Sequence, residues 1–183
     1  VLVWGGRQRQ MCIADRRVDP SAGPCVCGLD GCLNLRMGTE HLVKRAHSLR
    51  SEHPKSTLPR RGLSVSRIVE EACEGDRLAR VVVEEAGHHL AIGVAAMLNM
   101  FNPATVVFGG SLTRAGELLL RPLRETLGEH TPSASVKKSQ LVTSALGIEG
   151  TARGAATLVL RAALDDPTLF PSLQAQDTQA PAS

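Results

Sequence analysis

The sequence predicts an α/β domain, with helices layered on a sheet. An apolar stripe runs from Leu78 to Phe101, and a short apolar run at Thr105–Phe108 is closed by Gly109-Gly110. Helix and strand patterns then alternate as far as Leu164. The 183 residues are 43% apolar and 21% charged, enough for one globular domain with a sizeable core.

The first 24 residues are short and broken. Val1–Trp4 reads as the end of a strand, and Asp19-Pro20-Ser21-Ala22-Gly23-Pro24 is turn chemistry. From Leu33 to Leu49 the spacing of Leu42, Val43, Ala46 and Leu49 predicts a helix. A polar, Pro-bearing loop follows over residues 51–62. Ser64 opens a second helix, with Ile68, Val69 and Ala72 on one side, and Gly75-Asp76 ends it.

Over residues 77–101 the positions Leu78, Val82, Ala86, Leu90, Val94, Met97 and Phe101 keep helical spacing. A helix of that length spans roughly 37 Å. His88 and His89, adjacent on it, point about 100° apart and cannot jointly grip a metal, so they read as surface or core-edge residues. Asn102-Pro103 stops the helix. Thr105–Phe108 reads as a buried strand, and Ser111 as the N-cap of a helix over about 112–127. Gln140–Thr143 reads as a second strand and Ala152–Leu164 as a helix rich in small residues. Three prolines in a polar tail over 166–183 predict disorder there. One convincing central strand does not make a sheet, so the chain reads as part of a larger domain.

Composition excludes several roles. Aromatic residues are 2% of the chain, too few for stacking platforms that read single-stranded nucleic acid. The net charge is +3, although residues 1–62 hold 11 Lys and Arg against 5 Asp and Glu. No uninterrupted run of 18 apolar residues and no charged-then-apolar leader are present, so no membrane partner and a cytoplasmic location are expected.

Five cysteines, an odd number, argue against a disulfide framework. Three fall in Cys25-Val-Cys27-Gly28-Leu-Asp-Gly31-Cys32. Zinc takes thiolates at about 2.3 Å in a tetrahedron, and Gly28 and Gly31 let the chain turn tightly enough to supply them. Asp15 and Cys12 are candidates for the fourth ligand. The alternative is three thiols without metal. Gly109-Gly110, between strand and helix, could admit a phosphate or sugar to backbone N–H groups, or could be a plain connection.

Gly23-Pro-Cys-Val-Cys-Gly-Leu-Asp-Gly-Cys-Leu33 resembles the cysteine signature of the ROK family (repressor, open reading frame, kinase). Leu98-Asn-Met-Phe-Asn-Pro-Ala-Thr-Val-Val-Phe-Gly-Gly-Ser-Leu112 is similar to that family's helix–Asn-Pro–strand–Gly-Gly segment. Leu146-Gly147 and Gly154-Ala155-Ala156 follow in the family's order. The resemblance spans about residues 5–164. It implies the C-terminal lobe of an actin-like, ribonuclease H-like ATPase fold. Residues 1–165 would be a partial sugar-sensing domain, with a zinc module at about 12–34.

The resemblance also implies site roles. Cys25, Cys27 and Cys32 hold structural zinc, with Asp15 at the position of the family's zinc-binding and sugar-contacting His. Cys12 and Asn34 fall where two sugar-contacting Glu residues stand, so Cys12, Asp15 and Asn34 form the expected sugar-facing set. Gly109 and Gly110 would lie near ATP if the protein were a kinase. The phosphate loop and catalytic base of kinase members are not found, so no catalytic residue is assigned and no enzyme activity is expected of the chain as it stands.

The function expected is therefore the effector-binding part of an N-terminally truncated ROK transcriptional regulator. It would take a sugar or sugar phosphate, meet DNA only through a missing N-terminal domain, and form a homo-oligomer. The alternatives are the C-terminal part of a glucokinase-like sugar kinase, using ATP on a hexose, or an inactive remnant.

Overall fold

The computed structural model describes residues 17–25, 28–131 and 139–166. They divide into two compact units between Gly147 and Ile148. In the first unit the elements are α1 (Asn34–Met37), α2 (Thr39–Ser48), α3 (Val65–Glu74), α4 (Arg77–Phe101), β1 (Thr105–Phe108), α5 (Glu117–His130) and β2 (Gln140–Thr143). The second unit holds α6 (Gly150–Asp165).

The predicted helix over 33–49 is two helices. Gly38 leaves helical geometry at ψ 149°, and a Cβ there would lie 2.5 Å from the Asn34 carbonyl oxygen. The chain therefore breaks between α1 and α2. Apolar spacing alone carries no sign of that break, because Leu42 and Ala46 are buried by α2 alone. α3 begins as predicted: the Ser64 hydroxyl accepts from the Arg67 N–H at 3.2 Å, and Gly75 ends the helix at φ 103°.

α4 is the central helix. Asp76 caps it by accepting from the Ala79 N–H at 2.8 Å, and Asn102 ends it in the left-handed region at φ 43°. Asn tolerates that geometry better than most residues, and Pro103 then prevents continuation. The first half of α4 packs with α2 and α3 around Leu42, Ile68, Val69, Leu78 and Val82. The second half packs with β1 and α5 around Val94, Leu98, Val106, Phe108 and Leu123. Phe101, placed on the buried stripe by spacing, is exposed, because the helix ends immediately after it.

Among the described residues α4 is the one helix long and apolar enough to cross a membrane, and half of its most apolar window is buried within the protein. It also carries Arg77, Arg80, Glu84 and Glu85. Its apolar character is that of a core helix.

Gly87 sets how closely α4 approaches α5. A Cβ at this position would lie 2.6 Å from the Leu119 carbonyl oxygen and 2.8 Å from Pro122 Cγ. The His88 Nδ1 next to it meets the Thr126 hydroxyl at 2.6 Å.

β1 and β2 pair in parallel, with Thr105 opposite Gln140 and Phe108 opposite Thr143. α5 makes the crossover that parallel pairing requires. Val106 and Phe108 face the core, whereas Val107 is 51% exposed. The predicted cap at Ser111 is not formed. Ser111–Ala115 is a 3-10 turn, and α5 starts after Gly116 at φ 54°, a left-handed position that glycine adopts readily.

α6 has 16 residues and buries none of them; Leu158, Val159, Leu160 and Leu164 are exposed. The predicted tail over 166–183 lies outside the described residues apart from Asp166.

Candidate functional site

The cysteine-bearing segment folds as a small looped hairpin. Arg17 bridges antiparallel to Cys32, and Pro24 to Asp30. The Gly31 carbonyl accepts from the Val18 N–H at 2.8 Å, and the Gly31 N–H donates to the Gly23 carbonyl at 2.9 Å. At the tip, the Gly28 N–H donates to the Cys25 carbonyl at 2.9 Å and the Cys25 N–H to the Leu29 carbonyl at 3.0 Å. Gly28 at φ 87° and Gly31 at φ 73° supply the left-handed turns that a bulkier residue would resist.

Cys25 and Cys32 are both buried in this hairpin. Buried thiols beside a tight glycine turn are the side chains of this hairpin that could ligate a soft divalent metal. Cys27, Asp15 and Cys12 lie outside the described residues, and among the described residues no group of three or more His, Cys, Asp or Glu is arranged to hold a metal.

Asp19 ties the hairpin to α1. Its carboxylate accepts from the Ser21 N–H at 2.9 Å and from Arg36 Nε at 3.0 Å. The Ser21 hydroxyl also donates to it, at 2.5 Å, and this bond first, the Arg36 bonds second and the Ser21 N–H third hold its pKa at about 2. Asn34 follows the hairpin directly, at the exposed start of α1. Gly109 and Gly110 leave β1 exposed to solvent, and a Cβ on either would meet nothing within 4 Å. The Gly110 carbonyl accepts from the Thr113 hydroxyl at 2.7 Å. Of the expected site residues, the hairpin thus brings Cys25, Cys32 and Asn34 onto one continuous segment.

Sequence patterning does not disclose a second feature, a cleft of about 600 Å³ walled by α1, α2 and α4. Arg36, His41, Lys44, Arg45, Glu85 and His89 line it. Arg45 donates to both Glu85 oxygens, each at 2.7 Å. His41 and His89 are half-buried, and burial is the main cause that lowers both imidazole pKa values, with Arg36 next. The available signal was the i, i+4 repeat of His41 with Arg45 and of Glu85 with His89, which places each pair on one helix face.

A buried-thiol hairpin feeding a helical layer, followed by a β–α–β segment with an open Gly-Gly turn, makes this an α/β protein. The chain belongs to the ROK family, whose model matches residues 13–162. It is 31% identical over 149 residues to the DNA-binding transcriptional dual regulator NagC of Escherichia coli (strain K12), covering 81% of this chain and 36% of that protein. It is 30% identical over 149 residues to a glucokinase of Thermotoga maritima, covering 78% and 46% respectively. In three dimensions it resembles a ROK family glucokinase from Streptomyces griseus solved with glucose and AMPPNP. That match has a TM-score of 0.66 and 27% identity, over 80% of this chain and 50% of the other. The chain thus spans half or less of the length of these relatives.

Proposed function

We propose that the chain is the sugar-sensing part of a ROK transcriptional regulator, with residues 1–165 forming part of the sugar-sensing domain. The observation that carries this reading is the residue content of the sugar-facing positions. By resemblance, Cys12, Asp15 and Asn34 stand where Glu, His and Glu would orient sugar hydroxyls. A catalyst depends on such groups to hold the reacting hydroxyl within bonding distance, whereas a sensor needs only a difference in affinity between two states. Kinship to NagC supports the same branch.

In this reading zinc is structural. Cys25, Cys27 and Cys32 would hold it with Asp15, within a module at about 12–34, and keep Asp15 and Asn34 on one sugar-facing segment. The protein would act in the cytoplasm as a homo-oligomer and reach DNA through a region outside this chain. The second reading is a sugar kinase, favoured by the comparable identity to glucokinase and by the open Gly109-Gly110 turn, which would face ATP.

The test uses the full-length protein. Calorimetric titration with hexoses and N-acetylhexosamines should show sugar binding, with no ATP-dependent sugar phosphate formed. Restoring Cys12→Glu, Asp15→His and Asn34→Glu together should tighten sugar binding by tenfold or more, since a good hydrogen bond to a charged group contributes about 1.5–3 kcal/mol. No gain would sink the sugar-facing assignment, and sugar phosphate production would favour the kinase.

A further inference from the structure

We propose that the cleft between α1, α2 and α4 binds a phosphate dianion, free or as a monoester. The inference rests on none of Cys12, Asp15 and Asn34 and is independent of the reading above. Arg36, Lys44 and Arg45 bring three cationic side chains to the cleft walls; they pair with Asp19, Glu40 and Glu85 respectively, and of these carboxylates Glu85 alone lines the cleft.

The two guanidinium groups are held in place. Arg36 uses Nε and Nη2 on Asp19, and Arg45 uses Nε and Nη2 on Glu85. Among the described residues, neither Nη1 group has a hydrogen-bond partner. Anchored guanidinium groups lose little further freedom on meeting an anion, which is the condition for tight phosphate recognition. Lys44 pairs with Glu40, at 2.6 Å on the exposed face of α2, a contact of small net value that an incoming anion can replace.

His41 and His89 complete the site. Both are half-buried, and among the described residues neither has a hydrogen-bond or ion-pair partner. An imidazole in a cleft wall with nothing to bond is ready to donate to an incoming oxygen. Burial first and Arg36 second oppose protonation of both imidazoles while the cleft is empty; Arg45 and Lys44 add to this at His41, while Glu85 at both and Asp19 at His89 act against it. A dianion reverses that balance, so its entry should draw protons onto the imidazoles. At about 600 Å³ the cleft is larger than one phosphate group and leaves room for an organic body.

The experiment is calorimetric titration of the full chain with inorganic phosphate and, separately, with glycerol 3-phosphate. Runs near neutral pH in two buffers of different ionisation enthalpy read the proton count. Saturable binding is expected, and the proton count should be more positive by up to two than in His41→Gln with His89→Gln, because the ligand's own ionisation is common to both proteins and cancels in the difference. Lys44→Glu, a change at an exposed side chain, should weaken binding roughly tenfold. Tighter binding of glycerol 3-phosphate would identify a monoester as the ligand, and equal or weaker binding would identify free phosphate. Absence of saturable binding, or an affinity unchanged by Lys44→Glu, would overturn the proposal.

Discussion

Arg45 and Glu85 join α2 to α4 through two parallel hydrogen bonds, Nε to Oε2 and Nη2 to Oε1, each 2.7 Å long. A planar fork meeting a carboxylate fixes two helices in angle as well as distance. Both side chains are about a third exposed or more, so water screens the pair. A double-mutant cycle with Arg45→Met and Glu85→Gln should give a coupling of about 0.5–1 kcal/mol in urea denaturation. The Arg45 hydrogen bonds are the main cause lowering the Glu85 pKa below 4.5, so this coupling is present above that pH and fades as pH falls through the lowered value.

Gly87 and Gly154 are both helical glycines in opposite surroundings. Alanine at Gly87 would place its Cβ against the backbone of α5, a neighbour that cannot rotate away. Helix propensity favours alanine by up to about 1 kcal/mol, but overpacking of this kind costs about 1–3 kcal/mol. Gly87→Ala should therefore lower Tm. At Gly154 a Cβ meets nothing within 4 Å, so Gly154→Ala should slow amide exchange in α6 through propensity alone. Stabilisation by Gly87→Ala would show that the two helices can move apart freely.

The same contrast explains what the sequence disclosed. α4 and β1 were legible because their signals are local: a 3.6-residue apolar stripe, then a short apolar run between Pro103 and Gly109. The break at Gly38 and the start of α5 after Gly116 depend on single backbone dihedrals, which apolar spacing does not record. The cysteine hairpin was legible from its glycines, and Cys25 and Cys32 are buried there. The cleft was not, since Arg36, His41 and His89 come from three helices whose packing creates it. The close approach at Gly87 was hidden for the same reason: a glycine within a helix pattern carries no mark of its neighbour.

Acid should find the cleft before it finds the carboxylates. His41 and His89 both titrate below 6.5 in the folded protein, so the unfolded chain takes up their protons first. Their contribution is intact above about pH 6.5 and declines as pH falls toward the lowered values. The depressed carboxylates Asp19, Asp76 and Glu85 add their losses only at lower pH. Urea midpoints across this range should fall in two stages, and His41→Gln with His89→Gln should remove the first. A midpoint that stays flat until the carboxylates protonate would contradict the imidazole assignment.

The proposed role depends most directly on zinc holding the cysteine hairpin, and elemental analysis of freshly reduced protein tests it. About one zinc per chain is predicted, lost on Cys25→Ser or Cys32→Ser as a thiolate ligand disappears. Protein that folds with no bound metal, or that keeps its zinc through both substitutions, would contradict the account.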